Sequence, residues 1–181
     1  MMRMRWFGPA AALGAVLLAS APAVAKDALA SAPAAATMDV RAPVSGTPAF
    51  DVSVPAGWMW GMDPFGNLHL TRANRSAVVQ LRIVDGEDAK RTYPDLAAEI
   101  LESAGATPFT GNAPSSIAGI TGESFDSSMV AGGMRIDLEL VLARLDAGHV
   151  ASLALVKPVG IADADLAAMK ALLARVKLVR D

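Results

Sequence analysis

Hydrophobic and polar positions alternate with period two along much of the chain after residue 49. Phe50, Val52 and Val54 are separated by Asp51 and Ser53, the pattern of a strand with one buried face. Pro55-Ala56-Gly57 ends it. Trp58, Trp60 and Met62 share one parity in a second strand, and Asp63-Pro64-Phe65-Gly66-Asn67 reads as a turn. Leu68 and Leu70 flank His69 in a third strand, and residues 72–76 turn the chain again. Val79, Leu81 and Ile83 oppose Gln80 and Arg82 in a fourth.

The period then changes to 3.6. Tyr93, Leu96, Ala97, Ile100, Leu101 and Ala104 form one stripe, with Asp95, Glu99 and Glu102 off it, so an amphipathic helix is expected. Pro94 suits its first turn and Gly105 its end. Residues 106–118 read as irregular. Strands resume near Ile120, with a hairpin at Ala131-Gly132-Gly133 and a second turn at Asp146-Ala147-Gly148. Ile136, Leu138, Leu140 and Leu142 alternate cleanly. Residues 149–157 are apolar on both faces, which predicts a central strand. A closing helix is expected from Asp163, as N-cap, to about Val179.

The predicted order is therefore β-β-β-β-α-β-β-β-α. Short connections between consecutive strands demand antiparallel pairing. Each helix has one apolar stripe to bury, so the expected fold is α+β: an antiparallel β-sheet with two helices packed on it.

The first 48 residues differ in kind. Residues 1–25 carry Arg3 and Arg5, then an apolar stretch interrupted by Pro9, Gly14 and Pro22, then Ala23-Val24-Ala25. That is the layout of a secretory signal peptide cut after Ala25. The apolar run is too short and broken for a spanning helix. The processed chain is expected to be periplasmic or secreted, and not an integral membrane protein. Residues 26–48, rich in Ala, Pro, Ser and Thr, read as a disordered tail, leaving residues 49–181 as one domain.

Composition narrows the chemistry. The 181 residues include no Cys, which removes disulfides, thiolate metal sites and Cys nucleophiles. Sixteen basic and 18 acidic side chains give a net charge of −2. The chain becomes more acidic once Arg3 and Arg5 leave with the leader, so no nucleic-acid partner is expected. His69 and His149 stand apart in separate strands, and a metal site needs three or four ligands. No G-x-S-x-G occurs, and the glycines at 119, 122, 132 and 133 lie between strands, unlike a phosphate loop. Asp85-x-Glu87-Asp88 is too short for a calcium loop of the EF-hand type. No catalytic, metal or cofactor residue is assigned, and the protein is expected not to be an enzyme.

One cluster stands out. Trp58, Trp60, Met62 and Phe65 are either core beneath a helix or a recognition patch, since Trp and Met are enriched at interface cores. Arg72, Arg75, Arg82, Lys90 and Arg91 could rim such a patch, or form a solvated face.

The opening Phe50 to Trp58, with its Val-Pro-Ala-Gly-Trp turn at residues 54–58, resembles the PsbP-like superfamily, including the DcrB-like periplasmic proteins of bacteria. So do the mid-chain helix, the glycine pair at 132–133, the long hairpin at 135–157 and the closing helix. The resemblance covers residues 49–181. It implies an accessory, chaperone or assembly protein acting through surface contacts, with no catalytic set to carry over. Two functions follow as expectations. The first is an exported, non-enzymatic accessory protein of the cell envelope, working through protein–protein contacts with an unidentified envelope protein. The alternative is a carrier of a small apolar ligand held between sheet and helices.

Overall fold

A computed structural model describes residues 37–180. The leader, its cut after Ala25 and the first part of the 26–48 segment lie outside the described residues.

The strands are β1 (Met38–Ala42), β2 (Ala49–Val54), β3 (Trp58–Met62), β4 (Leu68–Arg72) and β5 (Val78–Asp85), followed by a 3-10 turn at Asp88–Lys90 and helix α1 (Tyr93–Ser103). Then come β6 (Gly111–Ile117), β7 (Ile120–Ala131), β8 (Met134–Arg144), β9 (His149–Pro158), helix α2 (Asp163–Leu173) and β10 (Val176–Val179). All pairings are antiparallel. Two sheets result: a large one in the order β3-β4-β5-β9-β8-β7-β6 and a small one in the order β1-β2-β10. The fold is α+β, with two helices on antiparallel sheets, as the hydrophobic pattern requires.

The large sheet is buried on both faces through its middle. In β5, Val79, Leu81 and Ile83 enter one core, while Val78 and Val84 enter the other. β9 divides the same way, with Ala151, Leu153 and Leu155 opposed to Val150, Ala154 and Val156. That double burial explains its unbroken apolar run, and β9 is the central strand of the seven. The first core is closed by Val40, Phe50, Val52 and Val176 of the small sheet and by Met169 and Leu172 of α2. The second is closed by Leu96, Ala97 and Leu101 of α1. The molecule is thus layered: small sheet and α2, large sheet, α1.

Local signals fix the ends of α1. Thr92 is the N-cap, its hydroxyl accepting from the Asp95 amide at 3.3 Å. At the other end the Gly105 amide reaches Glu102 O and the Ala106 amide reaches Leu101 O, each at 2.9 Å. Gly105 takes φ +71°, which completes a Schellman cap. The Gly132-Gly133 pair has φ +57° and +79° and joins Ala131 to Met134 as a two-residue hairpin turn.

Four expectations need correction. The 26–48 segment is not all tail: Met38–Ala42 pairs with β2 from Met38↔Val54 to Ala42↔Phe50 and buries Val40 and Ala42. Residues 106–118 contain β6, whose Pro114 is tolerated because β6 lies at a sheet edge. The closing helix stops at Leu173. Val176 and Leu178 alternate with exposed Lys177 in β10, which pairs with β2. Asp163 is not the N-cap; Ala162 holds that position without a side-chain bond, and Asp163 sits in the first turn.

Candidate binding surface

The Trp/Met cluster lies on the β3–β4 hairpin at the end of the large sheet. Asp63 shapes its turn. One carboxylate oxygen accepts from the Phe65 amide at 2.8 Å and the Asn67 amide at 3.0 Å, and the other accepts from Asn67 Nδ2 at 2.6 Å. His69 Nε2 lies 3.5 Å from the same carboxylate. Burial alone would raise the Asp63 pKa, but the bonds from Asn67, Phe65 and His69 together hold it below the usual value. Gly66 adopts φ +81°, which a side chain would resist. The turn so fixed carries Phe65 outward, 70% exposed.

The structure divides the four candidate residues. Trp58 is core, packed with Leu68, Leu70 and the small sheet, and the Arg72 guanidinium lies over its ring at 5.6 Å. Met62 is half-buried against the same core. Trp60 is 44% exposed, and Phe65 stands clear. Trp58 and Trp60 share a parity, but only Trp58 is buried in the first core. Met38 of β1, placed in the tail by sequence reasoning, joins the surface: its Sδ accepts the Trp60 indole N–H at 3.0 Å. Met59 is 49% exposed, from the opposite parity. Gly61 leaves open space where a side chain would stand. Met59 and Gly61 belong to the stretch 58–62 that the sequence singles out, whereas Met38 was missed as a site residue. The only available signal was the alternation of Val40 and Ala42 with Asp39 and Arg41.

The suggested basic rim does not assemble as free charge. Arg72 binds Asp165 and the Gly57 carbonyl, Lys90 pairs with Glu87 at 2.5 Å, and Arg91 pairs with Glu99 and Asp88. Hydrogen bonding to Glu99 raises the Arg91 pKa further. Arg82 is pushed the other way by burial within the sheet, against nearby carboxylates led by Asp88.

The two histidines stay apart. His69 faces Asp63, and His149 Nδ1 contacts Asp146 at 2.9 Å across the β8–β9 turn. Among the described residues no group of three or more His, Asp or Glu is placed to hold a metal ion. No described helix is long and apolar enough to cross a membrane. An open cavity of about 270 Å³ lies over β7, β8 and β9, with Asp126, Asp137, Glu139, Arg135 and Lys157 in its lining. It is polar, and none of Trp58, Trp60, Met62 or Phe65 reaches it.

The class defined by this arrangement is an α+β sandwich with an apolar hairpin at one sheet edge. No family model matches the chain, and no curated protein matches it. Two solved structures are similar in part. A protein of Bacteroides thetaiotaomicron VPI-5482 superposes with a TM-score of 0.48 at 13% identity, over 73% of this chain and 46% of its own. The chain therefore spans about half the length of that protein. LpqN of Mycobacterium tuberculosis, a protein involved in cell envelope biogenesis, superposes with a TM-score of 0.43 at 14% identity, over 78% and 91%.

Proposed function

We propose that this chain is an exported, non-enzymatic accessory protein of the cell envelope that acts through protein–protein contacts made by the β3–β4 hairpin. One observation carries the reading: a single hairpin of five-residue strands exposes three large apolar side chains, Met59 on one face, Trp60 on the other and Phe65 at the turn. Scattered single hydrophobics need no explanation, but grouped aromatic and Met side chains on one rigid element fit an interface. The leader layout supports export. The Val-Pro-Ala-Gly-Trp turn and the succession of strands around α1 support the PsbP-like, DcrB-like resemblance, and with it an accessory role. The carrier alternative has less support, because the cavity over β7–β9 is lined mainly by polar side chains and shares only Leu138 with the cores.

Site-specific photo-crosslinking in the native cell tests the reading. A crosslinker at Phe65 is expected to trap a discrete protein adduct that Trp60→Lys abolishes. A crosslinker at Glu102, on the exposed side of α1, is expected to trap none. Equal adducts at both positions, or none at Phe65, would refute the reading.

A further inference from the structure

One face of the large sheet changes character along β7, β8 and β9. At Val141, Leu153 and Leu155 it enters the first core. One step further along, the same face carries charge. Strand pairing fixes the arrangement as rows, because residues directly opposite in antiparallel strands share a face. Asp126 stands opposite Glu139 in the first row. Asp137 stands opposite Lys157 in the second, and Arg135 follows on β8 in the third. These five side chains line the open cavity of about 270 Å³.

The chain by itself leaves this arrangement unbalanced. Asp126 and Glu139 are like charges directly opposite each other, which destabilises a sheet. Asp137, Glu139 and Lys157 are half-buried. Among the described residues, no ion pair engages any of the five charged side chains. The cavity therefore has an acidic end and a basic end, each lacking a counter-charge from the described residues.

We propose that this cavity binds a short zwitterionic peptide of two or three residues. Its α-ammonium sits between Asp126 and Glu139, and its carboxylate meets Lys157 and Arg135. The proposal goes beyond the binding role of the β3–β4 hairpin, which lies at the other end of the sheet order.

The rows set the length of the ligand. Neighbouring rows on one face are two residues apart, about 7 Å along the strand. Lys157 is one row from the acidic pair and Arg135 two rows, so the opposite charges lie about 7–14 Å apart along the strands. An extended peptide spans about 3.5 Å per residue. A free amino acid is too short to meet both ends, and two or three residues bridge them. Asp137, between the ends, is an acceptor for the peptide N–H groups. The volume is just under the roughly 300 Å³ at which pockets for drug-sized ligands begin, which fits a small guest.

Isothermal titration calorimetry with alanyl-alanine tests the proposal. The dipeptide is expected to bind saturably. Acetylating its amine, amidating its carboxylate, or shortening it to free alanine should each weaken binding at least about tenfold. Putrescine, with two cations and no anion, should also bind at least about tenfold more weakly than the dipeptide. Glu139→Gln should weaken the dipeptide by a similar factor and leave the acetylated analogue unaffected. Arg135→Gln should weaken the dipeptide and leave the amidated analogue unaffected. Glu139→Gln also relieves the repulsion with Asp126, so its Tm should be unchanged or raised, which separates lost binding from lost fold.

No saturable binding at millimolar dipeptide overturns the proposal. So does putrescine binding as tightly as the dipeptide, which would make this a site for cations alone. Dipeptide binding that Glu139→Gln and Arg135→Gln both leave unchanged overturns it too, since the peptide would then lie elsewhere. None of these outcomes alters the expected crosslink at Phe65, so the hairpin reading stands or falls separately.

Discussion

Arg72 at the end of β4 and Asp165 in the first turn of α2 are 93 residues apart in sequence and joined at 3.1 Å. Arg72 Nε and Nη2 both donate to one carboxylate oxygen, and Asn74 Nδ2 lies 3.2 and 3.1 Å from the two oxygens. The guanidinium also donates to the Gly57 carbonyl and lies over Trp58. This single side chain ties the hairpin bearing the apolar surface to the helix that closes the first core.

Loss of the pair is expected to loosen the hairpin before it unfolds the domain. Hydrogen bonding from Ser76, then from Asn74 and Arg72, holds the Asp165 carboxyl below its ordinary pKa of 3.8, against the opposing effect of burial. A carboxylate depressed in the folded state stabilises fully above its unfolded pKa, and the gain is lost as pH falls through the folded value. Asp165→Ala should therefore lower Tm near neutral pH. Its difference from the unmodified chain should shrink as pH falls below the ordinary carboxylate value. Asp165→Asn should cost less, since an amide oxygen still accepts from Asn74 and Ser76. Thermal melts between neutral pH and pH 3 check both; a gap that widens in acid would refute the assignment.

Gly122 in β7 lies close against the backbone of β8. A Cβ there would stand 1.9 Å from the Leu142 carbonyl oxygen and 2.9 Å from Ala143 Cα. Both obstacles are backbone, which cannot swing aside. Gly122→Ala is expected to destabilise the fold by about 2–4 kcal/mol. Gly111→Ala, at an edge-strand position with no atom within 4 Å and no positive φ, is the control and should fall within about 0.5 kcal/mol of the unmodified chain. Urea denaturation separates the two.

Trp58 and Trp60 should report their environments separately. Trp58 is 8% exposed and Trp60 44% exposed. In a chain prepared from Lys26 onward they are the two tryptophans. Trp60→Phe is expected to remove most iodide quenching and leave blue-shifted emission. Trp58→Phe should leave red-shifted, quenchable emission and also lower stability, because the smaller ring leaves a gap under Arg72. Comparable quenching of both variants would contradict the division of the cluster.

Much of this architecture was legible where one element's own residues decided it. β9 is apolar on both faces because it is central, and α1 carries its stripe, its proline and its terminal glycine within fourteen residues. β1 and β10 were not legible. β1 is five residues in an Ala/Pro-rich stretch, and its strand state comes from β2. β10 follows α2 with Leu172, Val176 and Val179 at near-helical spacing, and pairing with β2 overrides that local pattern. The site had the same limit. Period two puts Trp58 and Trp60 on one face, but which of them is covered depends on where a second sheet ends. The Arg72–Asp165 link leaves no mark in any window of sequence.

The Tyr93 hydroxyl closes the junction between α1 and β8. It accepts the Arg144 backbone N–H at 2.6 Å, where β8 has run past its pairing with β7 at Leu142. The Arg144 side chain turns back over the Tyr93 ring at 5.6 Å and donates to the carbonyls of Ala89 and Arg91. One tyrosine thus serves a backbone donor with its oxygen and a cation with its face. Tyr93→Phe keeps the ring and removes the acceptor, leaving a half-buried N–H without that partner. The expected cost is about 1–3 kcal/mol. Hydrogen exchange at the Arg144 amide should accelerate more than at Leu140, whose place between β7 and β9 is unaffected. Tyr93→Leu removes ring and oxygen together and should cost more than Tyr93→Phe. Equal stability of Tyr93→Phe and the unmodified chain would show that the hydroxyl contributes nothing to the junction.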